Sequence, residues 1–191
     1  MPIKHHKRFA LITTLVVAPL AHAHPLAAHS VAWQAFIHPF SGADHITAML
    51  VIGLWAGLAA PGRRVVPPLA FVSGLMAGAA LGTMGVQLPA VETAIALSVL
   101  LLGPLAARES RLPALLCFAL CAVAGLFHGY AHGVELSGRG LAGACFVLGS
   151  LVLHGLGYGL ARRVSTTGHG VALRSALSAS GLLALGFLWM A

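Results

Sequence analysis

Histidine and acidic side chains come together at two places in this chain, residues 38–45 and 127–135. The first stretch reads HPFSGADH and the second reads FHGYAHGVE. The 191 residues include only 4 acidic side chains, and each stretch contains one of them. Imidazole and carboxylate groups together bind divalent transition metals such as zinc, nickel and cobalt. The sequence therefore predicts a metal site with six candidate ligands: His38, Asp44, His45, His128, His132 and Glu135.

The second stretch places its candidate ligands on one side of a helix. At about 100° per residue, His128, His132 and Glu135 fall within a stripe about 60° wide. Cys117 and Cys121, earlier in the same segment, fall in the same stripe. The i, i+4 spacing of the two histidines lets both imidazoles face one ion. The alternative is that the histidines are buried and hydrogen-bonded to neighbouring helices, and that the cysteines are small core residues.

The first stretch needs an irregular backbone to form a single site. His38 and His45 lie on one face of a helix but are roughly 10 Å apart along a regular one, so one ion could not bridge them. Pro39 suits a helix start, and Gly42 follows it. We therefore expect the chain to bend or unwind here and to bring His38 back toward Asp44 and His45. Irregular backbone at membrane depth is tolerated where it lines a cavity.

Composition indicates an integral membrane protein. The chain is 59% hydrophobic and 8% charged, whereas soluble domains carry about 25% charged residues. Its apolar segments approach the roughly 20 residues that a helix needs to cross a bilayer. We expect an all-α membrane protein with six transmembrane helices, at residues 42–60, 67–85, 92–107, 112–133, 141–161 and 171–190.

The N-terminus resembles a secretory signal. Basic residues precede an apolar run at 9–20, which at about a dozen residues is too short to span comfortably. Residues 21–23 read Ala-His-Ala, a small-x-small cleavage site. We expect residues 1–23 to be a cleaved signal peptide and residues 24–191 to form one six-helix transmembrane domain. An uncleaved anchor is the alternative.

Arginine positions predict how the six segments are oriented. If the mature N-terminus lies outside, the three inner loops contain six arginines and the outer loops contain only Arg139. Both ligand stretches then lie at the outer ends of spans one and four, and the two three-span halves have inverted topology, as in many transporters. The same bias accounts for the net charge of +7. Nucleic-acid binding is not expected, because no basic patch with interleaved aromatic residues occurs.

Glycines repeat every fourth residue in three of the segments. This spacing lets helix backbones approach closely in lipid. We therefore assign a packing role to Gly53 and Gly57, to Gly74, Gly78 and Gly82, and to Gly125, Gly129 and Gly133.

The patterns HPxxGxDH and FHGxAHGxE resemble the signatures of the HupE/UreJ family of nickel/cobalt permeases. The resemblance extends to length, signal peptide and six spans. It implies a metal-entry role for His38, Asp44, His45, His128, His132 and Glu135. It further implies inward transport of nickel, with cobalt as the alternative cargo, across a bacterial inner membrane with the mature N-terminus on the periplasmic side. Family members serve hydrogenase or urease maturation, so the ion is cargo rather than a cofactor and no enzyme activity is expected.

Two other functions stay open at this point. A membrane metal sensor would bind the same ions without moving them, and a haem-binding electron carrier would use membrane histidines as axial ligands. The chain lacks the HExxH pattern of metalloproteases and the GxxxxGK[ST] loop of nucleotide hydrolases. Metal ions and the lipid bilayer are the expected partners, and a homo-oligomer is compatible with this composition.

Overall fold

The computed structural model describes residues 28–108, 112–135 and 140–190, and every regular element in these ranges is helical. The expected signal peptide, residues 1–23, lies outside them. Two short 3-10 turns, His38–Phe40 and Pro61–Arg63, accompany seven α-helices. These are α1 (Ala28–Ile37), α2 (Ala43–Leu58), α3 (Val66–Thr83), α4 (Val91–Ala107), α5 (Ala114–Glu135), α6 (Gly140–Thr166) and α7 (Gly170–Met190).

Helices α2 to α7 coincide with the six apolar segments of the sequence. Within the described ranges, three stretches are long and apolar enough to cross a membrane: Pro61–Thr83, Ala114–Gly133 and Leu141–Thr166. The pair α1 and α2, bent by 72° at the intervening break, provides a fourth, and α4 is apolar but shorter. The prediction of an all-α, multi-pass membrane protein is thus confirmed in its coarse form. Helix α1, which precedes the first expected span, was not predicted.

The bend between α1 and α2 lies where Pro39 and Gly42 predict it. Pro39 occupies the start of the 3-10 turn. The backbone N–H of Ser41 donates to the carbonyl of His38 at 2.9 Å, and the Ser41 hydroxyl donates to the same oxygen at 2.7 Å. Helix α2 then starts in a new direction after Gly42, whose backbone is extended. This turn ends the first helix and displaces His38 from the axis of α2.

Helices from the two halves of the chain pack against each other. The most extensive contact joins α3 to α5, the next joins α2 to α6, and α4 packs on α7. At the α3–α5 contact a methyl group added to Gly78 would overlap the carbonyl of Leu126, and one added to Gly129 would overlap the carbonyl of Leu75. The glycines therefore let the two backbones touch, which confirms their assigned packing role.

The end of the bundle opposite to His45 is closed by an arginine of α7. The guanidinium of Arg174 donates to the carbonyl of Ala107, at the end of α4, at 3.0 Å and to the carbonyl of Leu58, at the end of α2, at 3.2 Å. A cation at helix C-termini satisfies orphaned carbonyls and complements the helix dipoles. Arg174 thus joins the ends of three helices.

Candidate metal site

Three imidazoles converge where α2 begins and α5 ends. One ring nitrogen from each of His38, His45 and His132 lies within 4.8 Å of the other two. His45 belongs to the first turn of α2 and His132 to the last turn of α5, so the N-terminal end of α2 meets the C-terminal end of α5. His38 reaches the same point from the 3-10 turn. We call these three residues the outer cluster.

The rings of the outer cluster touch each other closely. The centroids of His38 and His132 are 4.6 Å apart, and those of His45 and His132 are also 4.6 Å apart. The two Nε2 atoms of His45 and His132 are separated by 2.5 Å. Two nitrogens bound to one ion at about 2.0–2.1 Å each must stand about 3 Å or more apart. A small separation of α2 from α5 is therefore enough to admit an ion between them.

Asp44 orients one of these imidazoles. The Nδ1–H of His45 donates to Oδ1 of Asp44 at 2.9 Å. Because a carboxylate only accepts hydrogen bonds, this contact fixes the proton on Nδ1 and leaves the Nε2 lone pair of His45 directed at the cluster. The Asp44 side chain is 43% exposed, whereas His45 is buried. Asp44 is thus a neighbour of the cluster that sets the tautomer and adds negative charge at its entrance.

His128 lies one helical turn further into the bundle. Its ring is fully buried and stands 5.2 Å from the ring of His45. Its Nε2 lies 3.0 Å from the hydroxyl of Ser98 on α4, while its Nδ1 has no hydrogen-bond partner among the described residues. The structure therefore places His128 next to the outer cluster but does not bring it into the group of three.

The sixth sequence-predicted ligand is Glu135. The backbone of this residue ends α5. Its side chain lies outside the described residues, so its expected role stays a prediction.

Phe146 forms one wall of the site and was missed by sequence reasoning. Its ring on α6 stands 4.4 Å from the ring of His132, 6.0 Å from that of His38 and 6.4 Å from that of His45. Ser98 was missed as well. Neither belongs to a motif with the histidines, and only the helix packing brings them there.

The geometry suits a borderline divalent cation. Three imidazoles offer nitrogen donors, which favour nickel, cobalt, copper and zinc over magnesium or calcium. His45 and His132 are buried at this point, and a buried ionisable group is costly unless it is paired or metal-bound. The site can therefore strip part of the water shell from such an ion and hold it at the mouth of the bundle.

The chain is similar to known proteins over most of its length. A family model described as HupE / UreJ protein matches residues 12–188. A curated relative, Protein HupE from Rhizobium leguminosarum bv. viciae, is 39% identical over 163 residues, which cover 83% of this chain and 85% of the relative. None of the solved structures matches the chain.

Proposed function

We propose, because this chain belongs to the HupE/UreJ family, that it carries nickel, with cobalt as the alternative cargo, inward across a bacterial inner membrane. The observation that carries the proposal is the convergence of His38, His45 and His132 from two distant parts of the chain. Delivery to hydrogenase or urease maturation would follow from the family resemblance.

Exposure around the cluster supports a transport role. Beside the cluster, the Asp44 side chain is 43% exposed and Ser41 is exposed, whereas the neighbouring His128 is buried. An ion would meet negative charge first, then three imidazoles, then a single imidazole. A path of successive sites with few ligands allows an ion to bind and also to leave.

The proposed topology has six spans formed by α2 to α7, after cleavage of residues 1–23. Helix α1 would precede the first span at the periplasmic surface. Two observations support this topology. The meeting of the N-terminal end of α2 with the C-terminal end of α5 fits an inverted pair of three-helix halves. Arg63 and Arg64 follow α2, and Arg162 and Arg163 lie in the last turns of α6, at helix ends opposite to the outer cluster.

The six candidate ligands would have different roles in transport. The outer cluster would bind the incoming ion, Asp44 would orient His45, and His128 would take the ion further in. Glu135 would add charge at the entrance. A dication loses hydration as it moves through the apolar interior, so each imidazole along the way replaces part of the lost water.

Nickel uptake by cells that express His132→Ala tests the proposal. His132 contacts both other members of the outer cluster, so its loss leaves two imidazoles and removes the link between α2 and α5. We expect uptake to fall to background while the protein still accumulates in the membrane. Cys145→Ala, a half-buried position on α6, serves as the control and should transport normally. Parent-like uptake by His132→Ala would refute the proposal, and nickel binding without uptake in the parent would favour a sensor.

A further inference from the structure

His154 is a buried imidazole that the outer cluster does not use. It lies in the middle of α6, is only 4% exposed, and neither ring nitrogen has a hydrogen-bond partner among the described residues. Burying a polar group without a partner costs free energy, and nearly all buried polar groups in native proteins are paired. We therefore expect the buried ring of His154 to bind a ligand. Its only described ring contact is with Phe71, at 5.5 Å and 85°.

The helix face that carries His154 leads back to the outer cluster. Phe146, Ser150 and His154 follow one another at four-residue spacing along α6, and all three are buried. Phe146 packs on the histidines of the cluster. At 1.5 Å per residue, His154 lies about 12 Å further along the helix axis than Phe146. His154 is thus deeper in the bundle on the same side of α6.

Phe71 provides a second connection between the outer cluster and His154. The Phe71 ring stands 5.7 Å from the ring of His128 and 5.5 Å from that of His154. Phe71 is fully buried on α3. His128 contacts His45, so the rings of His45, His128, Phe71 and His154 form a continuous series from the outer cluster inward.

The two largest helix contacts repeat each other residue by residue. Gly53 of α2 packs on the backbone of His154 and Tyr158, and Gly125 of α5 packs in the same way on Phe71 and Leu75. The residue numbers of equivalent positions differ by 72 between α2 and α5, and by 83 between α3 and α6. The reverse contacts follow the same shifts. Gly157 packs on Leu50 and Leu54, as Gly74 packs on Ala122 and Leu126.

This correspondence makes Phe71 and His154 equivalent positions in two inverted halves. Because their rings also touch, both lie near the centre of the bundle, where the halves meet. The same shift pairs His45 with Cys117. It also pairs Met49 with Cys121, which lies one helical turn after Cys117 on α5. A pair of buried thiols thus occupies the place on the far side of the centre that His45 and Met49 occupy on the near side.

We propose that His154 is a second metal-binding residue, at the middle of the path, which accepts a nickel or cobalt ion from the outer cluster and His128 and passes it toward Cys121 and Cys117. The proposal rests on the proposed transport function. It assigns the unpaired nitrogens of His154 to the ion in transit. Thiolate and imidazole ligands both suit these metals, so the pathway would change from nitrogen to sulfur donors as the ion moves inward.

The first test separates transport from binding. His154→Phe places at this position the residue type found at its counterpart, Phe71, so the packing volume is conserved. In proteoliposomes that contain the full chain, we expect nickel uptake to fall by about tenfold or more. The affinity of the outer cluster for nickel, measured at equilibrium on the same purified variant, should stay near the parent value because the outer cluster is intact. His132→Ala should lose both binding and uptake.

The second test detects the ion at this position. His154→Cys replaces the imidazole by a thiol, and cobalt bound there should add a thiolate-to-metal charge-transfer band to the near-ultraviolet spectrum of the parent. Gly155→Cys is the matched control, since this neighbouring residue is exposed and has nothing within 4 Å of its Cβ position. It should add no band.

The outcomes distinguish this inference from the proposed function. Parent-like uptake by His154→Phe overturns the inference, and so does the absence of an added band in His154→Cys, even if uptake is lost. The same results leave the outer cluster untouched. Failure of the parent to transport nickel, or normal uptake by His132→Ala, overturns the proposed function instead. Loss of uptake with retained binding, together with the added band, supports both.

Discussion

Asp44 fixes the tautomer of His45 without joining the three imidazoles. A histidine that binds a metal commonly donates its other ring N–H to a carboxylate, which fixes the tautomer and makes the ligand more basic. The 2.9 Å contact between His45 and Asp44 is of this type. The Asp44 carboxylate also lies in the first turn of α2, where the helix dipole favours a negative charge.

Asp44→Asn should weaken nickel binding while the protein still accumulates in the membrane. An amide oxygen can still accept from Nδ1 of His45, but the negative charge is lost. We expect the nickel concentration for half-maximal uptake to rise about 10- to 100-fold. Initial uptake rates over a nickel titration provide the measurement. Thr47→Val is the control and should leave the titration unchanged, since Thr47 is exposed, one turn further along α2, and its hydroxyl donates to the carbonyl of Ala43.

The break between α1 and α2 is the element that makes a single site from the first motif. A regular helix would keep His38 and His45 roughly 10 Å apart along its axis, but the 72° bend brings their rings to 5.8 Å. Gly42 sits at this break with no room for a side chain. A Cβ there would stand 2.6 Å from Oδ1 of Asp44 and 3.0 Å from Nδ1 of His45.

Gly42→Ala should therefore disturb the site without unfolding the protein. The added methyl group pushes on the hydrogen-bonded pair Asp44–His45, while the extended backbone at Gly42 is accessible to alanine. We expect weaker nickel binding, measured by equilibrium titration of the purified protein, at an unchanged melting temperature. Gly62→Ala, in the next loop with nothing within 4 Å, should bind like the parent. Equal affinities for the two variants would argue against this account.

The sequence predicted the elements of the site better than its arrangement. Pro39 and Gly42 are local signals, so the break and the approach of His38 to His45 could be predicted. The i, i+4 spacing of His128 and His132 led to the expectation that both would meet one ion. In the structure the pair is split, because His132 joins the outer cluster and His128 turns to Ser98. Which of the two histidines faces Ser98 depends on how α4 packs, and no local pattern in the sequence indicates that packing.

Among the described residues, the largest helix contacts join the two halves of the chain, and the contacts within each half are smaller. Helix α3 packs on α5, α2 on α6 and α4 on α7. Glycines at the two larger contacts let one backbone touch another. Such small-residue contacts replace the hydrophobic effect, which is absent between helices in lipid.

Gly78→Leu should separate α3 from α5 and lower stability sharply. Its side chain would meet the backbone of Leu126 and Tyr130, which cannot move without shifting the helix. We expect a lower melting temperature and a smaller monodisperse fraction after detergent extraction. Gly155→Leu, on an exposed face of α6 with open space around it, should behave like the parent. Similar losses for both variants would mean that leucine disturbs these helices wherever it is placed.

Pairing across the halves also dictates the order in which the protein can be completed during synthesis. Helices α2, α3 and α4 leave the ribosome before α5, α6 and α7, yet the largest contact of each is with one of these later helices. Until the later helices are made, the earlier ones are held only by their smaller contacts with one another. Arg174 of α7 then bonds to the carbonyl ends of α2 and α4. A chain that stops before α7 would lack these bonds and the main partner of α4, and would be open to proteolysis.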